Sequence, residues 1–135
     1  MKNLKDILFP AGKRHWKGSR AARIALRTAH LLGVSLLFGG HWFGLPKAEL
    51  APWLYLAAVS GAGLIALELY SGFDWLLQLA GGLVLLKLAV LLFIPAFWEE
   101  RVALLVLAMV IGSAGSHMPG TLRHFYYIPP PGRRE

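Results

Sequence analysis

Residues 24–45 read IALRTAHLLGVSLLFGGHWFGL, an apolar run whose only ionisable side chains are Arg27, His30 and His41. A bilayer-spanning helix needs ~20 predominantly apolar residues, so this run is long enough to cross a membrane. Three more follow: Leu50–Tyr70, Trp75–Trp98 and Val102–His117. The last is near the short limit of ~17 residues. Together they explain why 56% of the 135 residues are hydrophobic and only 16% charged. The expected fold is all-α: a four-helix transmembrane bundle, antiparallel and up-down. A basic head (1–23) precedes the transmembrane domain (24–118), and a Pro/Arg tail (119–135) follows it.

The turns between runs are short. Gly44-Leu45-Pro46 ends the first span, Lys47-Ala48-Glu49 forms a small external loop, and Pro52 and Trp53 open the second span. Ser71-Gly72-Phe73-Asp74 is short enough to make spans two and three an antiparallel pair. Glu99-Glu100-Arg101 makes the second external turn, and Pro119-Gly120 stops the fourth span. Leu4, Ile7, Leu8 and Phe9 suit one amphipathic turn before Pro10, and Ile128-Pro129-Pro130-Pro131-Gly132 reads as an extended tail.

The net charge of +7 is concentrated at the two ends. Lys2, Lys5, Lys13, Arg14, Lys17, Arg20, Arg23 and Arg27 precede or open the first span, and Arg123, Arg133 and Arg134 follow the last. The two opposite loops carry only Lys47 and Arg101. The positive-inside rule therefore places both termini in the cytoplasm and the chain in the inner (plasma) membrane. This placement argues for contact with anionic lipid headgroups and against nucleic acid as the partner. The basic region and the first apolar run are both too long for a cleaved signal peptide, so the first span is expected to stay. There is no cysteine. That excludes disulfides, cysteine-ligated iron–sulfur clusters and covalently attached haem.

Ionisable groups inside a membrane are functional candidates by default. At a rise of ~1.5 Å per residue, His30 lies roughly 9 Å above the inner end of its span, Glu68 lies within about one turn of the inner end of span two, and His117 ends span four. His124 and Arg123 lie just beyond. Imidazoles facing one another from different helices would hold a metal or a haem iron, giving His30 and His117 as ligands with His124 in reserve. Arg27 and Arg123, with Glu68 in the same layer, suit the interface where haem propionates want cations. Other readings stay open. His117 and His124 also suit interfacial capping or lipid phosphate, and Glu68 suits hydrogen bonds from Arg27 or Arg123. His41, beside Trp42, reads as an outer-interface residue, and His15 as part of the basic head. Lys87, ~18 Å along span three, either snorkels outward or faces the bundle to meet an anionic group. Met109 and Met118 are the thioethers that copper, the rival metal, would use. The glycine and serine clusters in the spans let helices approach closely.

Arg27-Thr28-Ala29-His30, followed by Gly39-Gly40 and the span-ending Pro46, resembles the first helix of the small haem-binding protoporphyrinogen oxidases of bacteria. Lys87 in Leu85-Leu86-Lys87-Leu88 is similar to the third-helix lysine of that family, and such a helix also resembles copper-resistance D-type membrane domains. The resemblance implies a haem b ligand at His30 and a catalytic role for Lys87. The expected function is thus that of a b-type haem protein acting in electron transfer with a quinone or redox partner, or in porphyrinogen oxidation. Membrane transport of copper or another small solute, and a non-catalytic subunit of a membrane complex, are the alternatives; a homo-oligomer is a further possible assembly.

Overall fold

The computed structural model describes residues 4–10 and 12–130, and among them every regular element is helical. Six α-helices follow in order: α1 (Leu4–Leu8), α2 (Ser19–Trp42), α3 (Lys47–Ser71), α4 (Leu79–Leu92), α5 (Arg101–His117) and α6 (Gly120–Arg123). Single 3-10 turns, Phe73–Leu77 and Trp98–Glu100, lead into α4 and α5. Pro131, Gly132, Arg133 and Arg134 of the expected tail lie outside the described residues, as does Lys2.

By length and composition, three segments suffice to cross a membrane: α2, α3 and Trp98–His117. The helices divide between two compact units, one formed by His15–Tyr70 and the other by the chain before and after it.

The first unit is the α2–α3 hairpin. α2 closes on Gly44, whose φ of +72° is a left-handed conformation open to glycine at little cost. Leu45 N–H then donates to the Gly40 carbonyl at 2.9 Å and Gly44 N–H to the His41 carbonyl at 3.3 Å, the paired bonds of a Schellman motif. α3 begins at Lys47, so Lys47-Ala48-Glu49 is its first turn and the linking loop is shorter than expected. The Pro46 carbonyl starts the ladder by accepting from Glu49 and Leu50 N–H. Pro52 lies within the helix rather than opening it. The bond it cannot make would have ended on the carbonyl of Ala48, which is exposed. The two helices meet at Gly33. A Cβ there would lie 2.7 Å from Ala57 N and 3.1 Å from the Trp53 carbonyl oxygen.

In the second unit α4 packs against α5. The stem of Lys87 lies at Gly112 and Leu83 lies at Gly115, so the two helices run antiparallel. The run Trp75–Trp98, expected as one spanning helix, is α-helical only over the 14 residues of Leu79–Leu92. That is about 21 Å of helix, short of a ~30 Å hydrocarbon core. Gln78 sets the near end. It is extended (φ −93°, ψ 155°) and forms an isolated antiparallel bridge with Tyr126. Pro95 accounts for the far end. It has no N–H to return to Leu91, and Ile94 N–H bonds that carbonyl instead at 3.3 Å.

The 3-10 turn before α4 packs on the first turn of that helix. A Cβ on Gly81 would come within 2.9 Å of Leu76 Cα. Because that neighbour is backbone, it cannot swing aside. Gly81→Ala should lower stability by about 1–3 kcal/mol, the usual range for overpacking. Gly120→Ala, with nothing within 4 Å of its Cβ position, should change it little. Thermal or denaturant unfolding in detergent measures the contrast.

Candidate functional site

His30 projects from α2 onto α3. Its Nδ1 lies 2.8 Å from the Ala57 carbonyl oxygen and 3.3 Å from Ser60 Oγ. A backbone carbonyl can only accept, so Nδ1 carries a proton, and in the neutral ring the lone pair is then on Nε2. Gly61 makes room for the ring: a Cβ there would meet Cε1 at 3.0 Å and Nδ1 at 3.2 Å, with Nε2 further off at 3.9 Å. The ring therefore rests on α3 by its Nδ1–Cε1 edge. Ser60 is buried, and its hydroxyl donates back to the Leu56 carbonyl within α3. This bond fixes the oxygen beside the imidazole. Sequence reading grouped Ser60 and Gly61 with the small residues of helix packing. The signal for their role was a lone hydroxyl inside that cluster.

Glu68 forms an ion pair with Arg23, both half-buried, and Arg23 also donates to the Leu67 carbonyl at 3.3 Å. The partner expected for Glu68 was Arg27 or Arg123. Arg23 is one helical turn earlier than Arg27, and Arg27 itself is exposed. Arg23 and His30 are seven residues apart, two helical turns, so one stripe of α2 makes both polar contacts with α3. His41, in the last turn of α2, is half-buried, and His15 is exposed.

In the second unit, Lys87 is half-buried, and its Nζ would lie 3.7 Å from a Cβ on Gly112. The lysine stem thus crosses α5 where α5 has no side chain, which is the helix-facing arrangement. His117 is exposed in the last turn of α5. Arg123 is half-buried at the end of α6. His124 is tied down. Its Nδ1 lies 3.1 Å from Gln78 Oε1, while Gln78 Nε2 donates to the Tyr126 hydroxyl at 2.9 Å. Taken with the Tyr126 hydroxyl as acceptor, this orientation of the amide puts the proton on His124 Nδ1. Gln78 is buried, and both ends of its amide are bonded. Sequence reading passed over it, although an amide within an apolar run was a visible signal.

Around this amide the chain after α6 straps onto the start of α4. Leu79 N–H donates to the Phe125 carbonyl at 2.8 Å and Tyr127 N–H to the Leu77 carbonyl at 3.2 Å. The Tyr127 hydroxyl donates to the Leu76 carbonyl, with its ring over Gly82. Met109 is exposed on α5. Among the described residues no three or more histidine, aspartate or glutamate side chains come together as a metal-binding group. Comparison of the chain with family models, curated proteins and solved structures gives no match.

Proposed function

We propose that this chain is an integral protein of the inner membrane that binds b-type haem through His30 and acts in electron transfer with a quinone or another redox partner. One observation carries the reading: His30 Nδ1–H is held by the Ala57 carbonyl, 2.8 Å away. Histidines that ligate metals ordinarily donate their second ring nitrogen to a carbonyl or carboxylate, which sets the tautomer and raises the basicity of the ligating nitrogen. The donor set fits b-type haem in a second respect, because the chain has no cysteine for covalent attachment. Bound haem supplies one-electron chemistry. Around it, His30 would supply a nitrogen to the iron, Arg27, three residues earlier on α2, would meet a propionate, and Glu68 is proposed for the polar edge. His117 and His124 stay sequence-based candidates for an iron ligand and Arg123 for a propionate, and in its own unit His124 has its ring held by Gln78. Porphyrinogen oxidation is the reaction that the resemblance would add, with Lys87 as its catalytic group. In the proposed topology α4 and its flanking turns complete a fourth crossing, and both termini lie in the cytoplasm.

The absorbance spectrum of protein purified after expression with ample haem supply tests the reading. A Soret band with b-type α and β bands in the reduced state is expected, and their absence would overturn it. Ser60→Ala should keep the band but weaken haem retention about 10- to 100-fold, the usual effect of removing a group that orients a ligand. Competition with apomyoglobin measures that loss.

A further inference from the structure

We infer that the end of the second unit where α4 begins and α5 ends is a platform that lies in the headgroup layer of the bilayer, with an anionic lipid surface as its partner. The inference rests on the membrane reading above but not on haem. α5 belongs to a membrane-length segment that ends at His117. Eight residues later the chain is strapped back onto the start of α4 by the Phe125–Leu79 and Tyr127–Leu77 backbone bonds. A backbone held this way keeps its side chains near the level at which α5 ends. Three of them are large, apolar and exposed, Leu122 at 51%, Phe125 at 58% and Ile128 at 53%, while Tyr127, whose ring packs over Gly82, still exposes 46% of its surface.

The N-terminal segment comes to the same end of the unit. Pro10 packs at Gly72, the residue before the 3-10 turn that leads into α4, and Arg14 N–H donates to the Ser71 carbonyl at 3.1 Å. α1 there also exposes Leu4 and Ile7. Lys13, Arg14 and Arg123 supply positive charge at this end. Apolar side chains exposed on a fixed backbone, flanked by cations and beginning where a membrane-length helix stops, match the chemistry of the acyl–headgroup boundary. Continuity with α5 and the sign of the charge choose lipid as the occupant.

The absence of cysteine makes the test direct. Single substitutions Phe125→Cys and Ile128→Cys, both at exposed positions, are labelled with a nitroxide in the full chain. Leu85→Cys serves as the lipid reference, and the same nitroxide free in the buffer as the water reference. The proteins are reconstituted in vesicles containing phosphatidylglycerol, and collisions with oxygen and with a water-soluble nickel chelate are compared. The expected oxygen-to-nickel ratio at 125 and 128 is several-fold above that of the free label and below that at 85. A ratio at 125 and 128 no higher than that of the free label overturns the inference, because the platform is then in water. Labels shielded from both reagents overturn it too, because a protein then covers the face. If position 85 fails to exceed the free label, the membrane reading itself falls and the platform falls with it. Loss of the haem reading alone leaves every one of these ratios unchanged.

Discussion

His30→Ala should yield a protein with no Soret band while its α2–α3 hairpin stays folded. Two roles meet in this side chain, and their magnitudes separate them. As a packing group, His30 contributes one interhelical hydrogen bond to the Ala57 carbonyl. Such bonds within membranes contribute about 0.6–1.7 kcal/mol, too little to unfold the hairpin alone. As the proposed haem ligand, it would contribute the iron–nitrogen bond, and nothing in alanine would replace it. The expected result is therefore asymmetric: helical circular dichroism is retained, the thermal midpoint falls by a few degrees, and the chromophore is lost. Imidazole added to the medium should restore part of the band by entering the space left beside Gly61. A full, unshifted Soret band in His30→Ala would remove His30 from the ligand set. Ser60→Ala serves as the graded comparison, because it changes how the ring is held and leaves the lone pair in place.

The largest loss of stability is expected from Gly33→Val. The Cβ position at Gly33 lies 2.7 Å from Ala57 N and 3.1 Å from Ala57 Cα and the Trp53 carbonyl oxygen. All three atoms belong to the backbone of α3, so the clash is relieved only by moving one helix away from the other. In lipid, helices associate through close packing and interhelical hydrogen bonds, and separation weakens both. The bond from His30 to Ala57, one turn along α2, would lengthen as well. A loss of about 3 kcal/mol or more is expected, at or beyond the upper end of overpacking effects. Gly39→Ala provides the contrast. It is in the same helix, nothing lies within 4 Å of its Cβ position, and alanine favours helix over glycine by about 1 kcal/mol. Unfolding in mixed detergent micelles should show Gly33→Val strongly destabilised and Gly39→Ala unchanged or slightly stabilised. Equal effects at the two positions would show that the hairpin does not pack at Gly33.

The contrast between those glycines shows what can be read along a chain and what cannot. Apolar run lengths locate α2, α3 and α5, because each run is long enough to outweigh local exceptions such as Pro52. Helix ends at Gly44 and Pro119-Gly120 are equally visible, since both depend on residues adjacent in sequence. Gln78 is different. It ends α4 because its backbone pairs with Tyr126, far along the chain, and no local propensity records that pairing. The strap of Phe125–Tyr127 was hidden for the same reason. At the candidate site, the place of His30 along α2 follows from counting residues, but its acceptor does not, because the partner depends on which turn of α3 faces it. Glu68 makes the same point. Arg23 and Arg27 both lie near its level, and only the packing of the two helices selects Arg23.

The brevity of α4 bears on the lipid around the protein. α2 and α3 have 24 and 25 residues, or about 36–38 Å of helix, whereas α4 offers about 21 Å. With the proposed fourth crossing, a bilayer would meet the first two by letting them tilt and the last by thinning locally, at a fraction of a kcal/mol per Å of mismatch. Acyl-chain length would then act on one hairpin more than the other. Short-chain lipids would relax the α4 side, and long-chain lipids would load it with deformation energy. Membranes of graded thickness would sort such a protein by the shorter of its two hairpins.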